Sequence, residues 1–352
     1  MEFSFKSLNL LVLWKLLILL VLIGAARAVS KNELDFAAVQ SQKVLFHLEV
    51  SNDKKGITDF MKQLKKLTDA TFENSLFCME FTGIYNNILL NYLSEKKTSI
   101  WVENARQIKD SMGTLRGKTD KLDSIQIAQY AYKNRETPRL WSPKRDIVQE
   151  LDRLTAIRLR LVNVVKILIT PLTDSKGFIG KKAHKDASNA CQSSIDALKK
   201  DIKNIENQIK ELIQTDSKLK HLFEIITSVK GISEVTATEI IITTNEFKDI
   251  KDPKKFGCYA GCVPFEKSSG KKNGKPKVSS IANKKMKSLL HMAALSAIQH
   301  CKELKQYYLR KVAEGKNKML VLNNVRNKFI LRVFACVNKN KKYDENYTFS
   351  LV

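Results

Sequence analysis

The chain has 352 residues and 43% hydrophobic content, which is enough for about two or three folded domains with ordinary cores. Sixty-one Lys and Arg against 36 Asp and Glu leave a net charge of +25 and a pI near 9.7. That balance excludes a typical metabolic enzyme and points to a polyanionic partner, either a nucleic acid or an anionic membrane surface.

In chain order, the first feature is "NLLVLWKLLILLVLIGAARA", an apolar run interrupted by Lys15 and ending in Ala26-Arg27-Ala28. It reads as a signal peptide or short membrane anchor with the small-x-small form of a cleavage site. The competing reading makes its end a buried β-strand of the first domain, with extra hydrophobic sequence ahead of it. From Val29 to about Tyr132, hairpin-like strands "ELDFAAV" and "KVLFHLEV" lead to a helix-like "GITDFMKQLKKL". Next come "SLFCME", the helix-like "IYNNILLNYLSEK" and the strand-like "TSIWV", and a helix follows Thr119. This is the pattern of a mixed α/β sheet forming one domain. In "RGKTDKLDS", Asp120 and Asp123 are three apart and share a helix face. Such a pair either holds a divalent metal or is a solvated helix start with favourable acidic charge.

From about Ile147 to Ile226 the pattern becomes long helices. Ile195, Leu198, Ile202, Ile205, Ile209 and Leu212 step by three and four, and the seam resumes at Leu219 after Asp216 interrupts it. Leu151, Leu154, Leu161, Val165 and Leu168 form an earlier stripe, and the polar segment between reads as the turn of an antiparallel helical hairpin or coiled coil. It would join subunits or space domains.

A second, mostly helical unit follows from about Thr227 to Val337, and then a polar tail. "ITSVKGISEVTATEIIITT" has the form of a helix-hairpin-helix, whose turn at Gly231 would offer backbone N–H groups to a DNA phosphate, although Ser233 stands where that motif commonly has a second Gly. Residues 267–287 contain eight lysines and no acid. The stretch is either a solvated face or a phosphate-facing loop. The six cysteines form no paired C-x-x-C framework and read as reduced, buried thiols. Cys258 and Cys262, with His291, His300 and Cys301, match no standard zinc spacing.

"VSKNELDF", "MEFTGIY", "RGKTDKLDS", "KGISEVTATEI", "FGCYAGCVPFEKSSGK" and "NKKMKSLLHMAALSAIQH", in this order, closely resemble the DEDD-type insertion-sequence transposases described as bridge-RNA-guided recombinases. The resemblance implies an RNase H-like (RuvC-like) domain over residues 29–140, a coiled-coil region over 141–226 and a transposase domain with a helix-hairpin-helix and a nucleophilic serine over 227–337. Residues 1–28 then form a signal-like or aberrant segment and 338–352 a tail. Residue by residue, Glu80, Asp120 and Asp123 match the second, third and fourth acids, which would hold Mg²⁺. Ser269 matches the serine, with Ser268 the adjacent alternative, and Lys271, Lys272, Lys275 and Lys277 would face phosphates. Implied partners are DNA, a structured guide RNA and a second copy through the coiled coil, and the implied location is the cytoplasm, at the nucleoid. Membrane contact by residues 1–28 is the disfavoured alternative.

The family's first acid is missing. Its opening strand reads Ile-Gly-x-Asp-Val-Ser-Lys, whereas "IGAARAVSK" is two residues longer and puts Ala28 before "VSK". Glu33 and Asp35 are the nearest carboxylates, but an acid moved along a strand points elsewhere unless the register shifts. A rearranged gene start would explain both this departure and the signal-like segment. The chain then reads as an impaired transposase or as an inactive remnant that still binds nucleic acid. An exported cationic protein would instead be cleaved after Ala28.

Overall fold

The computed structural model describes residues 21–25, 32–68, 70–112, 119–269 and 272–344. It divides into two units, residues 1–143 and 144–352, mostly helical with small sheets.

In the first unit, strands β1 (Val21–Ala25), β2 (Glu33–Gln40), β3 (Lys43–Ser51), β4 (Ser75–Glu80) and β5 (Ser99–Glu103) form one sheet in the order β3-β2-β1-β4-β5. β1 is antiparallel to β2 and parallel to β4, and β4 is parallel to β5. Ser41 and Gln42 turn β2 into β3 with positive φ at both residues, the twist a two-residue hairpin prefers. The end of the N-terminal apolar run is therefore a strand, and it is the middle one. Cleavage after Ala28 would remove it and leave β2 and β4 without their shared partner. Residues 1–20 and 26–31, including Ala28, lie outside the described residues. No helix among the described residues is long and apolar enough to cross a membrane.

Helices cover both faces, with side chains alternating at a period of two. Leu34, Phe36, Ala38, Phe77, Met79 and Ile100 meet α1 (Lys54–Leu67) and α2 (Asn87–Glu95), and Phe36 stacks on Phe60 at 4.3 Å between centroids. Ala37, Val39, Leu76, Cys78 and Trp101 face the other way, towards α3 (Ala105–Met112) and α4 (Asp120–Lys133). Asp53 caps α1 by accepting from the Gly56 N–H at 2.7 Å, one of the donors a helix start leaves open.

The second unit opens with α5 (Asp146–Ser175) and α6 (Lys181–Thr215). They run antiparallel: Arg158 Nε donates to Glu206 Oε1 at 2.9 Å, and His184 Nε2 lies 3.0 Å from the Leu172 carbonyl oxygen nearer the turn. The seam breaks at Asp216 because that residue caps α7 (Ser217–Thr227), accepting from the Leu219 N–H at 2.7 Å. Then follow α8 (Glu234–Thr244), α9 (Pro253–Tyr259), the hairpin β6 (Pro264–Ser269) and β7 (Lys272–Val278), α10 (Lys284–His300), α11 (Lys302–Ala313) and α12 (Lys318–Lys339). The base of the α5–α6 hairpin and these helices share one core, which joins Leu151, Leu154, Ile209 and Ile213 to Ile226, Phe256, Leu290, Phe329 and Phe334. Arg145 ties three helix ends together: Nη1 donates to Asp216 Oδ2 and Nη2 to Glu246 Oε1, each at 2.7 Å. The lysine-rich stretch is a β-hairpin followed by a helix start rather than a loop.

Candidate functional site

Glu80 ends β4 and pairs in register with Glu103, the last residue of β5. Strand alternation places it on the face of Leu76 and Cys78, the one α4 covers. The rest of its motif serves the turn that follows. The fully buried Asn86 donates to the Glu80 carbonyl at 2.9 Å and accepts from the Thr82 N–H at 2.7 Å and the Thr82 hydroxyl at 2.5 Å. Gly83 takes φ +79°, a conformation that favours glycine.

Asp120 and Asp123 lie in the first turn of α4, where Thr119 caps by accepting from the Leu122 N–H at 3.2 Å. Asp120 is exposed and Asp123 half-buried. Further along α4, Ala128 packs on Ala37 and Val39, and Gln129, Tyr132 and Lys133 gather beside Val39 and Gln42. The first turn therefore points to the opposite end of the sheet, where β1 and β4 finish. The two aspartates and Glu80 thus share one end and one face of the sheet. Residues 113–118, ahead of the cap, lie outside the described residues.

Two further acids lie on this face: Glu103, which sequence reasoning missed, and Asp35, named from the sequence only as a carboxylate near the vacant first position. Glu103 is 5% exposed, and its Oε2 accepts from the Trp101 indole N–H at 3.2 Å and the Tyr130 hydroxyl at 3.1 Å, while Oε1 accepts from the Asn104 N–H at 2.9 Å. Burial, with that carboxylate beside it, pushes the Tyr130 hydroxyl up to about 12 and also raises the Cys78 thiol. No motif flags Glu103; only its place at the end of an apolar strand could have. Asp35 is buried on the same face, one residue from Phe36, the partner of Ala25, and its Oδ1 lies 2.7 Å from His47 Nε2. Glu33 is at the exposed start of β2. Among the described residues, no group of three or more His, Cys, Asp or Glu is arranged to hold a metal ion.

In the second unit, Ser269 and Lys272 are backbone partners at the tip of the β6–β7 hairpin, and Ser268, which is exposed, pairs with Asn273. Lys275 lies within β7, and the exposed Lys277 pairs with Phe265. Lys271 lies outside the described residues. Gly231 occupies a tight turn between α7 and α8, closed by the Ile232 N–H donating to the Val229 carbonyl at 3.0 Å. Its φ is +100°, and a Cβ there would meet the Phe329 ring at 2.9 Å and Ala297 Cβ at 3.2 Å. Packing and backbone geometry alone thus demand glycine at this turn.

The sequence pattern described as the transposase IS116/IS110/IS902 family matches residues 223–309, and that of the DEDD transposase of IS110 elements matches residues 29–173. The chain belongs to the IS110 family of insertion-sequence transposases. The insertion element IS116 uncharacterized 44.8 kDa protein of Streptomyces clavuligerus is 21% identical over 342 aligned positions, covering 78% of this chain and 84% of the relative. The DEDD match spans Glu80, Asp120 and Asp123, and the second match spans Gly231, Ser269 and the lysines of the hairpin.

Proposed function

We propose that the chain binds the DNA of its insertion element, with a structured guide RNA, and exchanges DNA strands through Ser269 and the carboxylates of an RNase H-like first unit. The observation that carries this reading is the convergence of Glu80 and the first turn of α4 on one end of the sheet. Carboxylate oxygens suit a hard divalent cation such as Mg²⁺, and Glu80, Asp120 and Asp123 would hold it. When bound, it supplies positive charge against a scissile phosphate. Ser269 Oγ attacks phosphorus, so that an O–P bond to the protein forms as a backbone P–O bond breaks. The serine gives up its proton and the departing deoxyribose oxygen takes one up. The ester conserves bond energy for rejoining. Lysines of the hairpin neutralise the phosphate, and the exposed apolar residues Leu159, Val164, Ile167 and Phe178 of the α5–α6 hairpin support association with a second copy.

A second reading, a remnant that binds nucleic acid without catalysis, is favoured by the absence of an acid at Ala28 and of a three-ligand group among the described residues. A strand-exchange assay on the element's own ends, with its RNA, separates the two. Under the first reading, Glu80→Gln or Asp123→Asn abolishes exchange and leaves binding intact. Under the second, exchange is absent throughout, while neutralising Lys271, Lys272, Lys275 and Lys277 together still weakens binding and flattens its salt dependence.

A further inference from the structure

The root of the β6–β7 hairpin carries a charge arrangement that no feature above uses. Arg326, on α12, is 6% exposed, and its Nε is fully buried without a hydrogen-bond partner. Two more buried polar atoms beside it are also without partners, His291 Nδ1 on α10 and Asn323 Oδ1 one turn earlier on α12. The Asn323 amide nitrogen donates to the Cys262 carbonyl at 2.7 Å, which holds the chain two residues before β6 begins.

The side-chain charges that act on the Cys262 thiol are both positive. Arg326 and Lys287 both act on the buried Cys262 thiol, Arg326 also acts on His291, and no carboxylate contributes at either group. Lys287 lies against Gly261, whose φ is +64°: a Cβ there would sit 3.4 Å from Lys287 Cδ and 2.6 Å from Ala282 Cβ. The other lysine of this turn, Lys285, is already engaged, 2.5 Å from Glu239 Oε2. A buried guanidinium nitrogen without a partner is unfavourable, and native structures keep such groups paired. An anion at this point would supply that partner. A guanidinium and a lysine ammonium carry the positive charge and the N–H donors that suit the oxygens of a tetrahedral oxyanion.

We propose that Arg326, Lys287 and His291 form a phosphate site at the root of the hairpin, which takes one backbone phosphodiester of the bound nucleic acid and thereby fixes the strand that carries Ser269. The identity of the ligand rests on the strand-exchange reading; the charge arrangement does not. Arg326 lies beyond the residues that the family patterns match. It is a positioning residue, two helices and a strand removed in sequence from the serine it would align.

The test compares Arg326→Met with the full-length wild type. Removing a buried guanidinium whose Nε lacks a partner leaves the thermal midpoint of the free protein unchanged or higher. Affinity for a duplex falls by at least tenfold, and the slope of log affinity against log salt becomes shallower by about 1, the loss of one phosphate contact. Lys287→Gln should flatten the slope in the same direction without altering the fold. A lower midpoint for free Arg326→Met with an unchanged salt slope in both variants overturns the proposal and makes Arg326 a packing residue. Inorganic phosphate is the second probe. If millimolar phosphate stabilises wild type as much as duplex does, and Arg326→Met abolishes both effects, the site takes free phosphate and the assignment to nucleic acid is overturned. A strand-exchange assay that fails in wild type, with the Arg326-dependent salt slope intact, removes the catalytic reading and leaves this site standing.

Discussion

Gly231→Ala separates packing from phosphate contact at the α7–α8 turn. The substitution puts a Cβ at φ +100°, 2.9 Å from the Phe329 ring and 3.2 Å from Ala297 Cβ, both in the core of the second unit. An unfavourable backbone region costs about 1–3 kcal/mol and overpacking a further 1–3 kcal/mol, so a loss of about 3 kcal/mol is expected. For a unit of roughly 200 residues that is a fall of on the order of 10 °C in the thermal midpoint. Differential scanning calorimetry measures it, and duplex binding is followed across salt concentrations well below the transition. The expected result is a large fall in the midpoint with an unchanged salt slope. A midpoint within about 1 °C of wild type, with a shallower slope, would instead show the turn to be a phosphate contact and not a packing constraint.

Tyr130→Phe leaves the buried Glu103 carboxylate short of one donor and should destabilise the first unit by about 1–3 kcal/mol in chemical denaturation. The wild-type hydroxyl, at about 12 when folded against about 10 unfolded, contributes stability that is complete below about pH 10 and is lost as pH rises towards 12. That alkaline step should be smaller in Tyr130→Phe. Arg145→Met breaks the contacts to Asp216 and to the fully buried Glu246 carboxylate, for a loss on the order of 3 kcal/mol by urea unfolding. Hydrogen bonds from Arg145 and from the Leu219 N–H hold Asp216 down to about 2, so its contribution is present above about pH 4 and lost as pH falls towards 2. The variant should show a smaller acid step, because only the Leu219 N–H bond remains, and a full step in it would contradict the assignment. Purified protein from a native host should retain residues 21–25 by intact mass, because they are the central strand; a chain beginning at Val29 would contradict that account of the sheet.

Much of the first unit is legible because its strands and helices change period at turn residues. "ELDFAAV" and "KVLFHLEV" meet at a two-residue turn, and Thr119 caps the helix that bears both aspartates. β1 is obscured by its flank: an apolar run longer than a strand hides where the strand lies, and sheet pairing rather than hydrophobicity selects Val21–Ala25. The β6–β7 hairpin is obscured by composition. Its lysines, glycine and proline lack the β-branched pattern of strands, and cross-strand pairing supplies what propensity does not. Glu80, Asp120 and Asp123 could be named from motifs. Asp35 could be named only as a carboxylate near the missing first acid, and Glu103 and Arg326 not at all, since each is a charge in an otherwise apolar or mixed segment whose burial depends on distant elements. The break at Asp216 was visible as an interruption, and its cause, a helix cap held by Arg145, only in three dimensions.

The most direct measurement is the covalent product. Wild-type protein incubated with Mg²⁺, the element's DNA ends and its RNA is denatured, digested and mapped by mass spectrometry for a nucleotide adduct. An adduct is expected on the peptide containing Ser269, absent in Ser269→Ala, retained in Ser268→Ala and lost in Asp123→Asn, with duplex binding near normal in all three. An adduct that persists in Ser269→Ala, or that maps to another residue, would contradict the role given to Ser269.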